Sequence, residues 1–186
     1  MSLQRGGSAG IALLAPVSTV AQAARAAAAG ARLVEVGRDS GALIPAIRRA
    51  AVGVRICGHH ESADVVWEAA LAARTGAGLI CPDQDAAAAA VRRGIAAERI
   101  WVQTAPAGVG PAVRAGWAVL ADLEQQADLE QRPDSLARTE AIAALCAWLG
   151  ASVLRTRHVA QVRRCADMTE SIAGRRPPAW ALRGLA

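Results

Sequence analysis

Three times in this sequence an alanine-rich stretch runs into a Gly-Ala pair and then at once into a short apolar segment. The junctions are Gly30-Ala31 before Leu33-Val34-Glu35-Val36, Gly76-Ala77 before Leu79-Ile80-Cys81, and Gly150-Ala151 before Ser152-Val153-Leu154-Arg155. A helix that ends on glycine can enter the left-handed cap without a steric penalty. The short apolar run that follows is the pattern of a strand covered by helices on its outer side. Repetition of this switch means alternating β and α units and a parallel sheet.

Extending the pattern along the chain gives seven strands, at residues 11–15, 32–37, 54–57, 79–81, 99–102, 118–121 and 152–154. Between them, Ser18 is positioned to cap a helix running to residue 29. A second helix over 40–51 carries Leu43 and Ile47 at helical spacing, and Ser62 is positioned to cap a third. Further helices are expected over 86–93, over 136–149 with Ile142, Leu145 and Leu149 inward, and over 159–172. Two spacers are unusual: 111–116 leaves hardly a turn of helix, and 122–134 is polar and acidic. Right-handed βαβ connections in series give either an open doubly wound sheet or a closed (β/α) barrel, and periodicity does not separate the two. The organisation expected is a disordered Gly-rich leader over 1–10, one domain over 11–174, and an irregular tail over 175–186 that contains Pro177-Pro178.

With 186 residues, 53% of them hydrophobic, the chain can bury a continuous core. All 21 basic residues are arginine; lysine, asparagine, tyrosine and phenylalanine are absent. That excludes a P-loop lysine, a Schiff-base lysine and any asparagine ligand. The net charge of +5 is dispersed, with no basic run and no interleaved aromatics, so no nucleic-acid partner is expected. The cysteines, Cys57, Cys81, Cys146 and Cys165, lie far apart without CxxC spacing, and no secretory core precedes them. Reduced thiols and a cytoplasmic location follow. Apolar stretches are broken by Arg, Gly or Pro before reaching a span's length, so no membrane association is expected.

In parallel α/β proteins, loops at the C-terminal ends of the strands carry the chemistry. After the third strand, His59, His60, Glu61 and Asp64 form the densest group of potential ligands. Adjacent histidines seldom converge on one ion, and a solvated loop is the favoured reading. Glu35 interrupts an apolar strand, where a carboxylate must be paired or functional. Asp83 and Asp85 are read as caps of the next helix rather than as cation ligands, and 104–110 as a small-residue turn. Arg155, Arg157 and His158 follow the last strand, where a guanidinium could meet an anion or planar heterocycle, or pair with a neighbouring carboxylate. The five tryptophans are scattered, as core or rim anchors would be.

The order of these segments resembles the dihydropteroate synthases, the pterin-binding (β/α)8 barrels of folate synthesis. The likeness is strongest where Ala137-Arg138-Thr139-Glu140-Ala141-Ile142 leads through Gly150-Ala151 to Leu154-Arg155-Thr156-Arg157-His158-Val159, similar to the family's last helix and closing Arg-x-His strand. Leu33-Val34-Glu35-Val36-Gly37-Arg38-Asp39-Ser40 resembles the family's Ile-Asp-Val-Gly-Gly-Glu-Ser motif, each acid exchanged for its homologue. Gly94-Ile95-Ala96-Ala97-Glu98-Arg99-Ile100 is similar to the lead into a later strand.

The resemblance implies an α/β fold of the (β/α)8 TIM-barrel type. Because full-length members are longer, it also implies a barrel reduced by about one βα unit. It implies a ligand site drawn from Glu35, Asp39, Ser40, Gln103, Arg155, Arg157 and His158, with Gln103 where the family holds its pterin-binding Asp. The departures remove the family's catalytic apparatus. Leu14-Ala15-Pro16-Val17-Ser18 replaces the Asn-Val-Thr-Pro-Asp-Ser loop that holds metal and pyrophosphate, and the Ser-Arg-Lys motif falls near Leu123-Glu124-Gln125. No catalytic residue, metal or cofactor is therefore assigned. The expectation is a catalytically degenerate homologue that binds a pterin-like small molecule, or pairs as a homodimer or as a heteromer with an active homologue. The alternatives are a functional synthase or repurposed transferase of folate-type metabolism, and a non-catalytic interaction subunit covering sheet edges left open by the missing unit.

Overall fold

A computed structural model describes residues 10–124 and 135–176, and these build a closed barrel of eight parallel strands in sequence order. The strands are β1 (Ala12–Val17), β2 (Leu33–Val36), β3 (Arg55–Cys57), β4 (Val65–Val66), β5 (Gly78–Cys81), β6 (Ile100–Thr104), β7 (Ala118–Asp122) and β8 (Val153–Arg155). The α-helices of the described residues are α1 (Val20–Ala28), α2 (Ile44–Ala50), α3 (Ala69–Thr75), α4 (Gln84–Arg92), α5 (Val109–Arg114), α6 (Ser135–Trp148) and α7 (Val159–Ile172). The hinges act as expected: Gly76 ends α3 at φ 76° and Gly150 follows α6 at φ 93°. None of these helices is long and apolar enough to cross a membrane.

Alternate strand residues fill the barrel. Leu14, Leu33, Cys57, Val65, Ile80, Trp101, Leu120 and Val153 pack inside, and the Arg55 guanidinium lies 5.5 Å from the centre of the Trp101 ring. The opposite strand faces, with Leu13, Val34, Ile56, Leu79, Val102 and Leu154 among them, pack against the helices. β1 and β8 close the ring, with Leu14 in register with Arg155. The start of β1 is tied to α7, because Ile11 N donates to Glu170 Oε2 at 2.9 Å and Arg163 donates to the Ile11 carbonyl at 2.6 Å.

All eight strands are present, so the economy relative to eight βα units is a helix: no helix separates β3 from β4. The seven-strand reading missed β4 because it is two residues long and carries no hinge of its own. Short bonds do the work of the crossover. Gly58 N donates to the Val65 carbonyl at 3.0 Å and Asp64 N to the Ile56 carbonyl at 2.8 Å. Asp64 Oδ2 accepts from Ile56 N at 2.8 Å. Closure also removes the open edges on which the interaction-subunit reading rested.

Several local expectations are corrected. Thr19, not Ser18, caps α1, its Oγ1 accepting from Gln22 N at 3.1 Å. Ser62 caps no helix; α3 follows Glu68 instead. Segment 104–110 is a 3-10 turn, Pro106–Gly108, that continues into α5. On α6, Ile142 and Leu149 pack against the core as expected, beside the buried Ala143, Cys146 and Ala147, while Leu145 points outward. Asp83 caps α4 as expected, accepting from Ala86 N at 2.7 Å. The expected leader, the tail beyond Arg176 and most of the acidic 122–134 spacer lie outside the described residues.

Candidate functional site at the barrel mouth

Arg155 is the last residue of β8 and points into the mouth of the barrel, on the same side as the inward Val153. Its neighbour β1 offers only Leu14 and Pro16 on that side, so nothing polar intercepts the guanidinium before it reaches β2. Arg155 Nε donates to Glu35 Oε2 at 2.6 Å, and NH1 donates to Asp122 Oδ1 at 3.2 Å. Gln103 Nε2 at the end of β6 donates to Asp122 Oδ2 at 2.9 Å. Four strands thus contribute to one chain of hydrogen bonds, and Glu35 and Arg155 share one hollow although 120 positions separate them.

The network is electrostatically tight. Burial by itself would lower the pKa of Arg155. The hydrogen bond and charge of Glu35, followed by those of Asp122, outweigh that burial and hold the guanidinium above its ordinary value. Asp122 is buried, and its Oδ1 also accepts from Glu124 N at 3.0 Å. Both Asp122 oxygens are engaged, whereas Glu35 Oε1 accepts nothing from the described residues.

Glu35 also lines a cleft of about 990 Å³ that opens beside the network, between the ends of β1 and β2, the side of α1 that carries Gln22 and Arg25, and the first turn of α7. Pro16, Ser18, Ser40, Arg157 and Gln161 contribute to the same walls. Arg155, Asp122 and Gln103 do not line it, so the cleft and the network meet at Glu35. Arg157 is fixed there by Glu124, whose Oε1 accepts from Arg157 N at 2.7 Å and whose Oε2 lies 3.5 Å from Arg157 Nε.

The structure therefore gathers Glu35, Gln103 and Arg155, and sets Ser40 and Arg157 on the adjoining cleft. It does not gather Asp39, which is exposed and off the cleft, or His158, which precedes α7 and whose backbone N donates to Thr156 Oγ1 at 3.0 Å. For Arg155 the structure shows the pairing alternative, with its guanidinium held by Glu35 and Asp122 at the mouth. Asp122 was passed over as a site residue. It was visible as an acid at the C-terminal end of an apolar strand, where parallel α/β proteins carry their chemistry.

The other side of the mouth is aromatic. His59 stacks on Trp67 with ring centres 5.1 Å apart and an 18° tilt, and His59 Nδ1 lies 2.5 Å from Glu68 Oε1. Arg38 NH1 approaches the same oxygen at 3.7 Å. The loop's other potential ligands go elsewhere: His60 Nδ1 to Ser62 Oγ at 2.6 Å, and Asp64 to Ile56 and Arg48. No group of three metal-ligating side chains converges among the described residues. The metal implied by the resemblance has no fitting donors here, because Leu14-Ala15-Pro16-Val17-Ser18 contains neither the Asn nor the Asp of the family's first loop and Asp122 is taken by Arg155, Gln103 and the backbone. The cysteines are free thiols, and burial pushes Cys57 far up and both Cys81 and Cys146 up to about 11, so burial disfavours their thiolate forms.

No protein-family model matches this chain, and no curated protein is similar to it in sequence. Solved structures are similar in fold. The structure of Mycobacterium tuberculosis Rv1207 is 24% identical, with 96% of this chain and 99% of that one covered, at a TM-score of 0.75. The Yersinia pestis dihydropteroate synthase is 14% identical, with 89% and 94% covered, at 0.73. A Coxiella burnetii dihydropteroate synthase in complex with pteroic acid is 13% identical, with 88% and 94% covered, at 0.76. The barrel is therefore of the dihydropteroate-synthase type in fold.

Proposed function

We propose that this protein is a shortened, catalytically degenerate relative of the dihydropteroate synthases that binds a pterin-like heterocycle at the barrel mouth. The observation that carries the reading is Glu35. Arg155 pins one carboxylate oxygen, and the other is left as an acceptor where the mouth meets the cleft. A planar heterocycle with an N–H edge would complement that oxygen, and the hydroxyls of Ser18 and Ser40 would add adaptable hydrogen bonds. Arg155 acts as the positioning residue, because Glu35 without it would be free to turn into solvent. The complex of a similar fold with pteroic acid supports a ligand of this class.

Degeneracy follows from what the chain lacks. Displacing pyrophosphate from a pterin carbinol calls for cationic or metal stabilisation of the leaving phosphates. This sequence has no lysine, and its first loop has neither an asparagine nor an aspartate for a metal. Losing one preorganised donor of this kind costs roughly a hundredfold or more in rate. Free thiols at all four cysteines support a cytoplasmic location. Pairing with a second copy or with an active relative belongs to the same reading.

Isothermal titration with a reduced pterin tests the proposal. Wild type should bind, and Arg155→Lys, which keeps the charge but loses the fork to Glu35 and Asp122, should bind at least about tenfold more weakly. A flat trace for both would dispose of the pterin. Rescue of a folate-synthesis-deficient strain, abolished by changing Arg155, would replace the degenerate reading with an active synthase.

A further inference from the structure

Each helix runs back from the mouth toward the starts of the strands, so the helix C-termini collect at the opposite end of the barrel. Arginines collect there with them. Arg49, Arg74, Arg92 and Arg114 lie in the last turns of α2, α3, α4 and α5, Arg93 is the C-cap of α4, Arg175 follows α7, and all six are exposed. Most carboxylates at this end are already engaged: Asp64 binds Arg48, Asp167 binds Arg163 and Arg176, and the buried Glu170 accepts from Ile11 N. Among the described residues only Glu98 is an exposed acid there. At the mouth the balance reverses, with Asp39, Asp83 and Asp85 exposed beyond the carboxylates of the network. Residues 1–9 and 177–186, which adjoin the basic end in sequence, contain no acid. Positive charge that is dispersed along the sequence is thus gathered at one end by the fold.

We propose that this end of the barrel docks on an anionic lipid bilayer. Arginine at a helix C-terminus is favoured by the macrodipole, which accounts for these residues one at a time. It does not account for the scarcity of exposed acids around them, nor for Val52 (87% exposed) after α2 and Val91 (39%) in the last turn of α4. Guanidinium groups with exposed apolar neighbours suit a surface where phosphates lie over hydrocarbon. Shape selects the bilayer over a nucleic acid. The arginines stand around the ring, with α2 and α5 on opposite sides of the barrel, so a plane can meet them together whereas a strand or duplex would cross the ring along one chord. Each arginine brought to an anionic leaflet strengthens binding by about fivefold. Span length, on which the expectation against membrane association rests, has no bearing on a surface contact of this kind.

Flotation of the full chain with phosphatidylcholine vesicles, with and without phosphatidylserine, tests this. Wild type should bind only the vesicles that contain phosphatidylserine, and binding should weaken as salt is raised. Arg92→Gln combined with Arg93→Gln should weaken it by about twentyfold or more, and so should Arg49→Gln combined with Arg114→Gln, a pair from opposite sides of the ring. Arg164→Gln, which changes an exposed arginine midway along α7, should cost no more than about twofold. Failure to bind the anionic vesicles would overturn the proposal, as would equal binding to both kinds or a loss confined to one of the two pairs. So would tighter binding to duplex RNA that both pairs abolish, because the face would then serve a nucleic acid.

Discussion

The two sides of the barrel mouth are built in opposite ways. On one side, β2, β6, β7 and β8 send Glu35, Gln103, Asp122 and Arg155 into a single network across large distances in sequence. On the other, β3 and β4 are joined by a loop with no helix, and the side-chain bonds of His59, His60, Asp64 and Glu68 run to neighbours within nine residues or to Arg48 and Arg38, with Glu68 Oε2 left buried and without a hydrogen-bond partner. The first side depends on the barrel being closed, and its groups lose their partners together if the ring opens. The second stabilises itself locally and needs the barrel only as a platform. An acceptor remains unspent on each side, Glu35 Oε1 and Glu68 Oε2, and of the two residues it is Glu35 that lines the cleft, which is where binding chemistry belongs.

Substitutions should separate the two sides by size of effect. Arg155→Ala leaves two carboxylates facing each other in a partly buried mouth, and a loss of about 3 kcal/mol is expected in chemical denaturation. Replacing Arg155, Glu35 and Asp122 together by apolar residues should recover most of that loss; if it does not, the network is more than a compensated set of charges. Asp64→Ala removes the carboxylate that holds Ile56 N and Arg48, and about 2 kcal/mol is expected, with pterin affinity unchanged because the effect stays on the local side. A change in affinity of tenfold or more would erase the distinction between the halves.

Smaller effects sharpen the picture. His59→Leu gives up the Trp67 stack and the Glu68 pair, both partly exposed, and about 1 kcal/mol is expected. Alkaline pH should act on neither side of the mouth but on the thiols. The folded-state values of Cys81 and Cys146 are raised from 9.0 to about 11, so the unfolded chain loses those protons first. Stability should be fully present below pH 9 and decline as the pH rises toward 11, and a Tm that stays level through this range would contradict it.

The βα order was legible because glycine hinges and apolar runs are local signals, as at Gly76-Ala77 before Leu79. β4 was not, since Val65-Val66 owes its strand character to hydrogen bonds from Gly58 and to Asp64, which no window of the sequence displays. Whether the sheet closes is likewise a long-range property, carried by Leu14 beside Arg155. At the site, Glu35 stood out because a carboxylate inside an apolar strand is costly, and Arg155 because of its place after the last strand. Asp39 was proposed from its motif alone and faces solvent, as the turn after β2 carries it past the rim. Leu145 was placed inward from its spacing with Ile142 and Leu149, a spacing that cannot tell the barrel side of α6 from an equally apolar outer side.

The central claim is that Glu35 and Arg155 act as one unit in holding a ligand. Reduced-pterin affinity across the double-mutant cycle of Glu35→Gln and Arg155→Lys measures this directly. Each single change should weaken binding about tenfold or more, and the double should be no weaker than the worse single. Four equal affinities, or two losses that simply multiply, would contradict the account.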